Sequence, residues 1–374
     1  MKLGFGANTK KLLIIYAFYV IGITLIPFLL GSVGLMSTPI RTFKELFFAV
    51  WGYGWDGMHY IEIAQRGYKF PNQAFFPLYP LLLKTLNFIL PLTLSYRVNL
   101  LLLPAFLFCS IKLMDQYSFD YKQKLKAVIV FLLFPSSFIL QSNYTETLFI
   151  LLSILTFLFL FKEKFLYASL FSALATATRF NGIILSLIIV YSFTKHHRAQ
   201  LKRVTTFFKT LLLFSISNLG LIIYLLYLNT FQKTYTVLFR AQGEWGRSQN
   251  ILQNMVSVPL KLIPDTINSA RHLDPWFTRE LIQNSIFILA LILLVVSFKK
   301  LKTELYLFSL AQVLLPLATG TLISFPRLFL LAFPLIFYGS KFLIKEEFFY
   351  AYAFLSTILQ VILIVLFMNN RFIV

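Results

Sequence analysis

Polar residues along this chain are sparse and fall in bunches. Between them run apolar stretches, at about residues 12–31, 97–114, 126–141, 147–161, 165–178, 182–194, 210–229, 284–298, 303–320, 328–343 and 348–368. In a bilayer no water is present to bond the backbone N–H and C=O groups, so apolar runs of this kind must form helices. Several approach or reach the roughly 20 residues that a spanning helix needs. The pattern predicts an all-α polytopic membrane protein with about 11 transmembrane helices, a single integral membrane domain over residues 1–374. A barrel shows short alternating segments instead.

Composition agrees: 58% of the residues are hydrophobic and only 13% are charged, about half the charged share of a soluble domain. The first run, Leu12 to Leu30, is too long for the core of a signal peptide, and no small-residue cleavage site follows it. It reads as a retained span. The one cysteine, Cys109, lies within an apolar run and reads as a small buried hydrophobe.

The net charge of +20 comes without any nucleic-acid recognition motif, so nucleic acid is not an expected partner. The basic residues instead punctuate the runs. Lys2, Lys10 and Lys11, then Lys112, Lys122, Lys124 and Lys126, then Lys162 and Lys164 fall on one side of an eleven-span path. So do Lys195, Arg198, Lys202, Arg203 and Lys209, then Lys299, Lys300 and Lys302, and finally Lys341 and Lys345. The positive-inside rule makes that side cytoplasmic. The N-terminus is then inside and the tail "NNRFIV" outside. This path treats "PLYPLLLKTLNFILPL" (77–92), interrupted by Lys84 and bounded by Pro77, Pro80 and Pro91, as a helix lying in the membrane interface.

The outer side receives a long first loop, 32–96, with interfacial helices, and a second long loop, 230–283. Mixed polar clusters gather there. The first contains "WDGMHYIEIAQRGY" (55–68), where Asp56 sits among Trp51, Tyr53 and Trp55. A carboxylate in an apolar, aromatic setting suits general-base work, whereas an Asp just before a helix also suits an N-cap. The aromatic rings serve either as interface anchors or as faces for a sugar or lipid chain. Asp56, His59 and Glu62 invite a metal reading, but at 3.6 residues per turn the outer two stand about 120° apart. Three mixed ligands at this spacing match no standard site. No metal ligands are assigned, a divalent cation has no support in the sequence, and His59 and Glu62 read as supporting residues.

Further clusters follow in order. "FPSSFILQSNYTETLF" (134–149) places Tyr144 and Glu146 at an outward turn, where Glu146 is either functional or an acidic start to the next helix. Asn143-Tyr144-Thr145 fits the glycosylation sequon but is short and close to the membrane. "ATATRFNG" (175–182) places Arg179 where it needs an anion: a lipid phosphate, or Glu146 or Asp56. "RAQGEWGR" (240–247) offers Gln242, Glu244, Trp245 and Arg247 to a polyol or phosphate, or to solvent. "SFPRLFLLAFPL" (324–335) puts Arg327 at the outer start of a span, as an anion contact or an interface residue. No P-loop, H-E-x-x-H or G-x-S-x-G is present, so ATP use and serine-hydrolase chemistry have no support.

Taken together, "WDGMHYIEIAQRGY" with "AFFPLYPLL" (74–82) resembles the signature of PIG-V-type mannosyltransferases and their prokaryotic relatives. The likeness continues in order through "FPSSFILQSNYTETLF", "ATRFNG", "QGEWGR" and "SFPRLFLLAFPL". The resemblance implies a GT-C-type membrane glycosyltransferase that uses a polyprenyl- or dolichyl-phosphate-linked sugar, mannose or a related hexose. It also implies a glycolipid or glycan acceptor, membrane lipids as surroundings, and an acidic catalytic residue in the first outer loop, here Asp56. Asp56 has no acidic neighbour nearer in sequence than Glu62, unlike relatives with paired acids. The compact chain and single Cys lean toward a prokaryotic source and a plasma-membrane location; a eukaryotic member belongs in the endoplasmic reticulum. On this reading Asp56 takes the acceptor's proton and Arg179, with Arg327 or Arg247, neutralises the leaving phosphate, with inversion at the anomeric carbon. Glu146, Tyr144, Trp55, Gln242 and Trp245 complete the expected substrate site. A multi-spanning transporter or flippase is the alternative, but it calls for ionisable residues in mid-span, where this chain has few. A non-enzymatic assembly subunit is a third reading, one that the presence of Asp56 disfavours.

Overall fold

A computed structural model describes residues 7–34, 42, 45, 51, 54–90, 95–248, 250–271 and 277–369. Every regular element among them is helical. In order these are α1 (Ala7–Ser32), α2 (Asp56–Arg66), α3 (Leu78–Leu86), α4 (Val98–Leu113), α5 (Tyr121–Leu133) and α6 (Glu146–Leu160). There follow α7 (Phe165–Thr178), α8 (Ile183–His196), α9 (Val204–Ser217), α10 (Leu219–Phe231), α11 (Val237–Glu244) and α12 (Ile251–Arg271). The chain closes with α13 (Phe277–Ser297), α14 (Thr303–Ala318), α15 (Phe325–Phe329), α16 (Phe333–Gly339) and α17 (Glu346–Met368).

Each apolar run folds as helix, but not always as one helix. Among the described residues, five helices are long and apolar enough to cross a bilayer: Thr9–Ser32, Val98–Tyr117, Thr278–Ser297, Phe325–Leu343 and Glu346–Met368. The pair α9 and α10, bent by 60°, makes a sixth if counted as one span. Helices α6, α7, Phe180–His196 and α14 are apolar but shorter. The 14 residues of α7 extend only about 21 Å, against roughly 30 Å of hydrocarbon. Length and composition thus support five or six spans, and the expected count of eleven, read from the apolar runs, is not supported beyond that.

The breaks have local causes. The run 126–141 stops at Leu133 because Phe134 (ψ 136°) is extended, as a residue preceding proline prefers, and the chain resumes as the 3-10 turn Ser137–Gln141. At the start of the run 328–343 and within it, Pro326 and Pro334 stand in the first turns of α15 and α16, a position where a missing N–H costs nothing. The segment 77–92 forms the nine-residue α3, too short to cross. Pro91 lies outside the described residues, as do Lys2, Tyr53, most of 35–50 and the tail after Asn369.

Nearly all of α6 is buried. It packs along α4 and α7, while α7 also carries α9 and α10. Gly220 makes the last contact possible: a Cβ there would collide with the Ala173 carbonyl and Ala177. This packing brings the start of α6 and the end of α7 together, beside α2 and α15.

Candidate active site

The site is assembled on the turn Ser142–Thr145, just before α6. Asn99, in the first turn of α4, donates its side-chain amide to the Ser142 carbonyl and, at 2.8 Å, to that of Tyr144. The turn in turn grips the first loop. The Asn143 backbone N–H donates to the Trp51 carbonyl (2.9 Å), and its side chain donates to the Gly57 carbonyl (3.0 Å). The Asp56 N–H donates to the Tyr144 hydroxyl at 3.3 Å. Burial, and then the nearby Asp56 charge, hold the Tyr144 phenol above its usual pKa, so it serves here as a neutral hydroxyl. Polar groups this deeply buried need partners, and the turn and loop supply some of one another's.

Two strained residues aim the charged side chains. Trp55 (φ 47°) precedes α2 and Ser324 (φ 66°) precedes α15. Positive φ in a residue with a Cβ costs about 1–3 kcal/mol and gathers at functional sites. Trp55 is held by a bond from its indole Nε1 to the Phe367 carbonyl, 3.4 Å. Asp56 is the first residue of α2, Trp55 stands at the cap position, and no side-chain cap bond forms. The N-cap reading of Asp56 is therefore set aside: its carboxylate faces an arginine instead.

That arginine is Arg327, which donates to Asp56 Oδ2 at 2.6 Å. Its Nε also lies 3.4 Å from Glu146 Oε1, and its guanidinium lies 5.0 Å from the centre of the Tyr144 ring. Arg179 donates to the same Glu146 oxygen at 2.7 Å and to the Thr145 hydroxyl at 2.8 Å. Two carboxylates and two arginines thus form one chain, Asp56–Arg327–Glu146–Arg179. Side-chain exposure runs from 0% at Glu146 to 20% at Asp56. Buried charges persist only when paired in this way. Of the anions considered for Arg179, the structure provides Glu146. The acidic partner that the sequence around Asp56 lacks is supplied by Glu146, joined through Arg327.

Arg247 stands beside this chain. It donates to the Thr319 hydroxyl at 3.0 Å and has no carboxylate partner among the described residues. Burial first, then the nearby Arg327 and Arg179 charges, lower its pKa to about 10, against the opposing Asp56 charge. The cluster therefore carries one cation more than it has acids. Among the described residues, Asp56 Oδ1 accepts no hydrogen bond and its side chain keeps 20% exposure.

The other expected residues fall around the centre. His59 stacks on Phe75 at 4.9 Å and meets the Trp245 ring edge-on at 4.9 Å. Gln242 donates to the Ala74 carbonyl at 3.4 Å, pinning the second loop to the first. Glu62 accepts from Asn72 at 2.9 Å, bracing the turn into α3. His59 and Glu62 thus both contact residues of the surrounding loops. Sequence reasoning missed Asn99 and Thr319 and undervalued Asn143, which is fully buried and bonded. For Asn99 the available signal was an amide set inside an apolar run, where a polar group needs a reason.

The comparisons with known proteins bear on this arrangement. Over 143 residues the chain is 33% identical to GPI alpha-1,6-mannosyltransferase 2 of Cricetulus griseus, a match covering 35% of this chain and 29% of that protein. The chain thus spans under a third of the length of the curated relative it matches. That relative is an animal protein and lends no support to the expected prokaryotic source. A family model described as Mannosyltransferase (PIG-V) matches residues 35–261. Asp56, Glu146, Arg179 and Arg247 lie inside those bounds, and Arg327, which pairs with Asp56, lies beyond them. The matched residues are more than half of the chain, which belongs to the mannosyltransferase (PIG-V) family.

Proposed function

We propose that this chain is a GT-C-type membrane mannosyltransferase. It moves a mannosyl residue from a polyprenyl- or dolichyl-phosphate donor to a lipid-linked or glycan acceptor at the outer face. The observation that carries the reading is the charge arrangement: a half-buried carboxylate, held by an arginine through one oxygen, beside a half-buried arginine that lacks a carboxylate partner among the described residues. A donor phosphate supplies the anion that Arg247 lacks, by charge-assisted hydrogen bonds. The overall family supports mannose as the sugar, and the relative's printed name supports an α-1,6 linkage to a GPI precursor.

In this mechanism Asp56 Oδ1 takes the proton from the acceptor hydroxyl as its oxygen bonds to the anomeric carbon. The bond from that carbon to the phosphate oxygen breaks, and the electron pair leaves with the lipid phosphate. Arg247, with Arg179 and Arg327 behind it, stabilises the developing negative charge, the usual work of fixed cations in a buried site. Direct displacement inverts the anomeric configuration. Trp245 and His59 line the approach for sugar and lipid, and burial excludes competing water.

The test uses membranes holding the protein and two labelled donors, polyprenyl-phosphate-mannose and a nucleotide-mannose. Transfer from the lipid-linked donor, without transfer from the nucleotide, is expected. Transfer from the nucleotide alone would overturn the donor class and the face assigned to the site.

A further inference from the structure

The proposed active site uses the C-terminal end of α7, where Arg179 follows Thr178. Its N-terminal end, about 21 Å away, borders a different feature. A groove of about 460 Å³ is lined by Glu163, Lys164, Phe165, Leu166, Tyr167, Phe193, Lys209, Leu212 and Leu213. This volume is within the range that small-molecule sites occupy. The floor is formed by Phe193 and Leu213, which are buried, while Leu166 (53% exposed) and Leu212 (57% exposed) present apolar surface outward.

The charge on this apolar groove is unbalanced. Lys164 and Lys209 are both exposed, and neither ammonium has a carboxylate or other hydrogen-bond partner among the described residues. The one lining acid, Glu163, already faces His196 at 3.5 Å. The first turn of α7 carries no acidic residue, and no side chain caps it, so its N–H groups add positive potential. Lys209 lies three and four residues before Leu212 and Leu213, which places ammonium and apolar surface on one face of α9. The occupant that matches two free cations above an apolar floor has an anionic head and a hydrocarbon tail.

We propose that this groove binds an anionic glycerophospholipid, its phosphate between Lys164 and Lys209 and an acyl chain along Leu166 and Leu212. The groove belongs to the basic end of the chain, with Lys162, Lys195, Arg198, Lys202 and Arg203 nearby in sequence. Charge bias assigns that end to the cytoplasmic leaflet, where anionic lipids are held by basic residues near the surface. The site is independent of the transferase chemistry.

The experiment is native mass spectrometry of the purified protein with added phosphatidylglycerol, phosphatidylcholine or inorganic phosphate. It compares wild type with Lys164→Gln/Lys209→Gln and with Lys300→Gln, a basic residue outside the groove. Phosphatidylglycerol is expected to be retained over phosphatidylcholine. The double variant should weaken that retention roughly twenty-fivefold, from about fivefold per lysine, while Lys300→Gln leaves it unchanged. Leu212→Trp, which fills the groove without altering charge, should also displace the lipid. Equal retention of the two lipids, unchanged retention in the double variant, or displacement by inorganic phosphate at the lipid's own concentration would each overturn the proposal.

Discussion

Asp56 gains its meaning from what surrounds it. Alone it is an acid at the start of a short helix; paired with Arg327 it is an oriented carboxylate with one oxygen free. Removing Arg327 strands Asp56 and leaves Glu146 to Arg179 alone. Arg327→Met is expected to destabilise the protein by about 3–5 kcal/mol, as breaking buried pairs does, with Asp56→Asn/Arg327→Met recovering part of that loss. A thermal unfolding series in detergent checks both, and strict additivity of the two substitutions would contradict the pairing. Arg247 behaves oppositely. Its pKa is lowered on folding to about 10, so its burial costs stability at every pH below that value. This cost fades as pH rises from about 10 toward the unfolded value. Arg247→Met should therefore raise the melting temperature of the ligand-free protein at pH 7. It should also lower kcat/KM by about 10²–10³-fold, the scale of losing one preorganised donor.

At the scale of elements, every apolar run announced a helix, and the breaks were partly written in the chain as well. Pro135, Pro326 and Pro334 mark three of them. The 60° bend between α9 and α10 has no such marker, since Asn218 looks unremarkable inside an apolar run; tertiary packing on α7 sets it. The site was legible in part. Asp56, Glu146, Arg179 and Arg327 stand out as charges at run ends, but their pairing spans up to 271 positions of sequence, and periodicity carries no information over that distance. Trp55 and Ser324 were illegible as strained residues, because backbone angles imposed by packing leave no compositional trace. Close approach also went unseen: a Cβ on Gly182 would lie 2.5 Å from the Thr176 N–H nitrogen. Gly182→Val is expected to push the turn off α7, loosen Arg179 from Glu146 and lower the melting temperature. An unchanged melting temperature would show that the turn does not depend on this contact.

For the molecule as a whole, the polar site and the lysine-rich segments lie at opposite ends of α7. Charge bias then assigns them to opposite faces of the membrane. In a Cys109→Ser background, Met58→Cys (Met58 is 51% exposed) should react with an impermeant thiol reagent added to intact cells. Lys202→Cys should react only after permeabilisation. The reverse pattern would invert the topology and place the site on the cytoplasmic face. The proposed mechanism turns most directly on Asp56 acting as the base in sugar transfer. The decisive measurement is mannose transfer from labelled polyprenyl-phosphate-mannose by purified, folded protein, wild type against Asp56→Asn. A rate lower by about 10²–10⁴-fold with donor binding retained is expected; transfer at the wild-type rate would contradict Asp56 as the base.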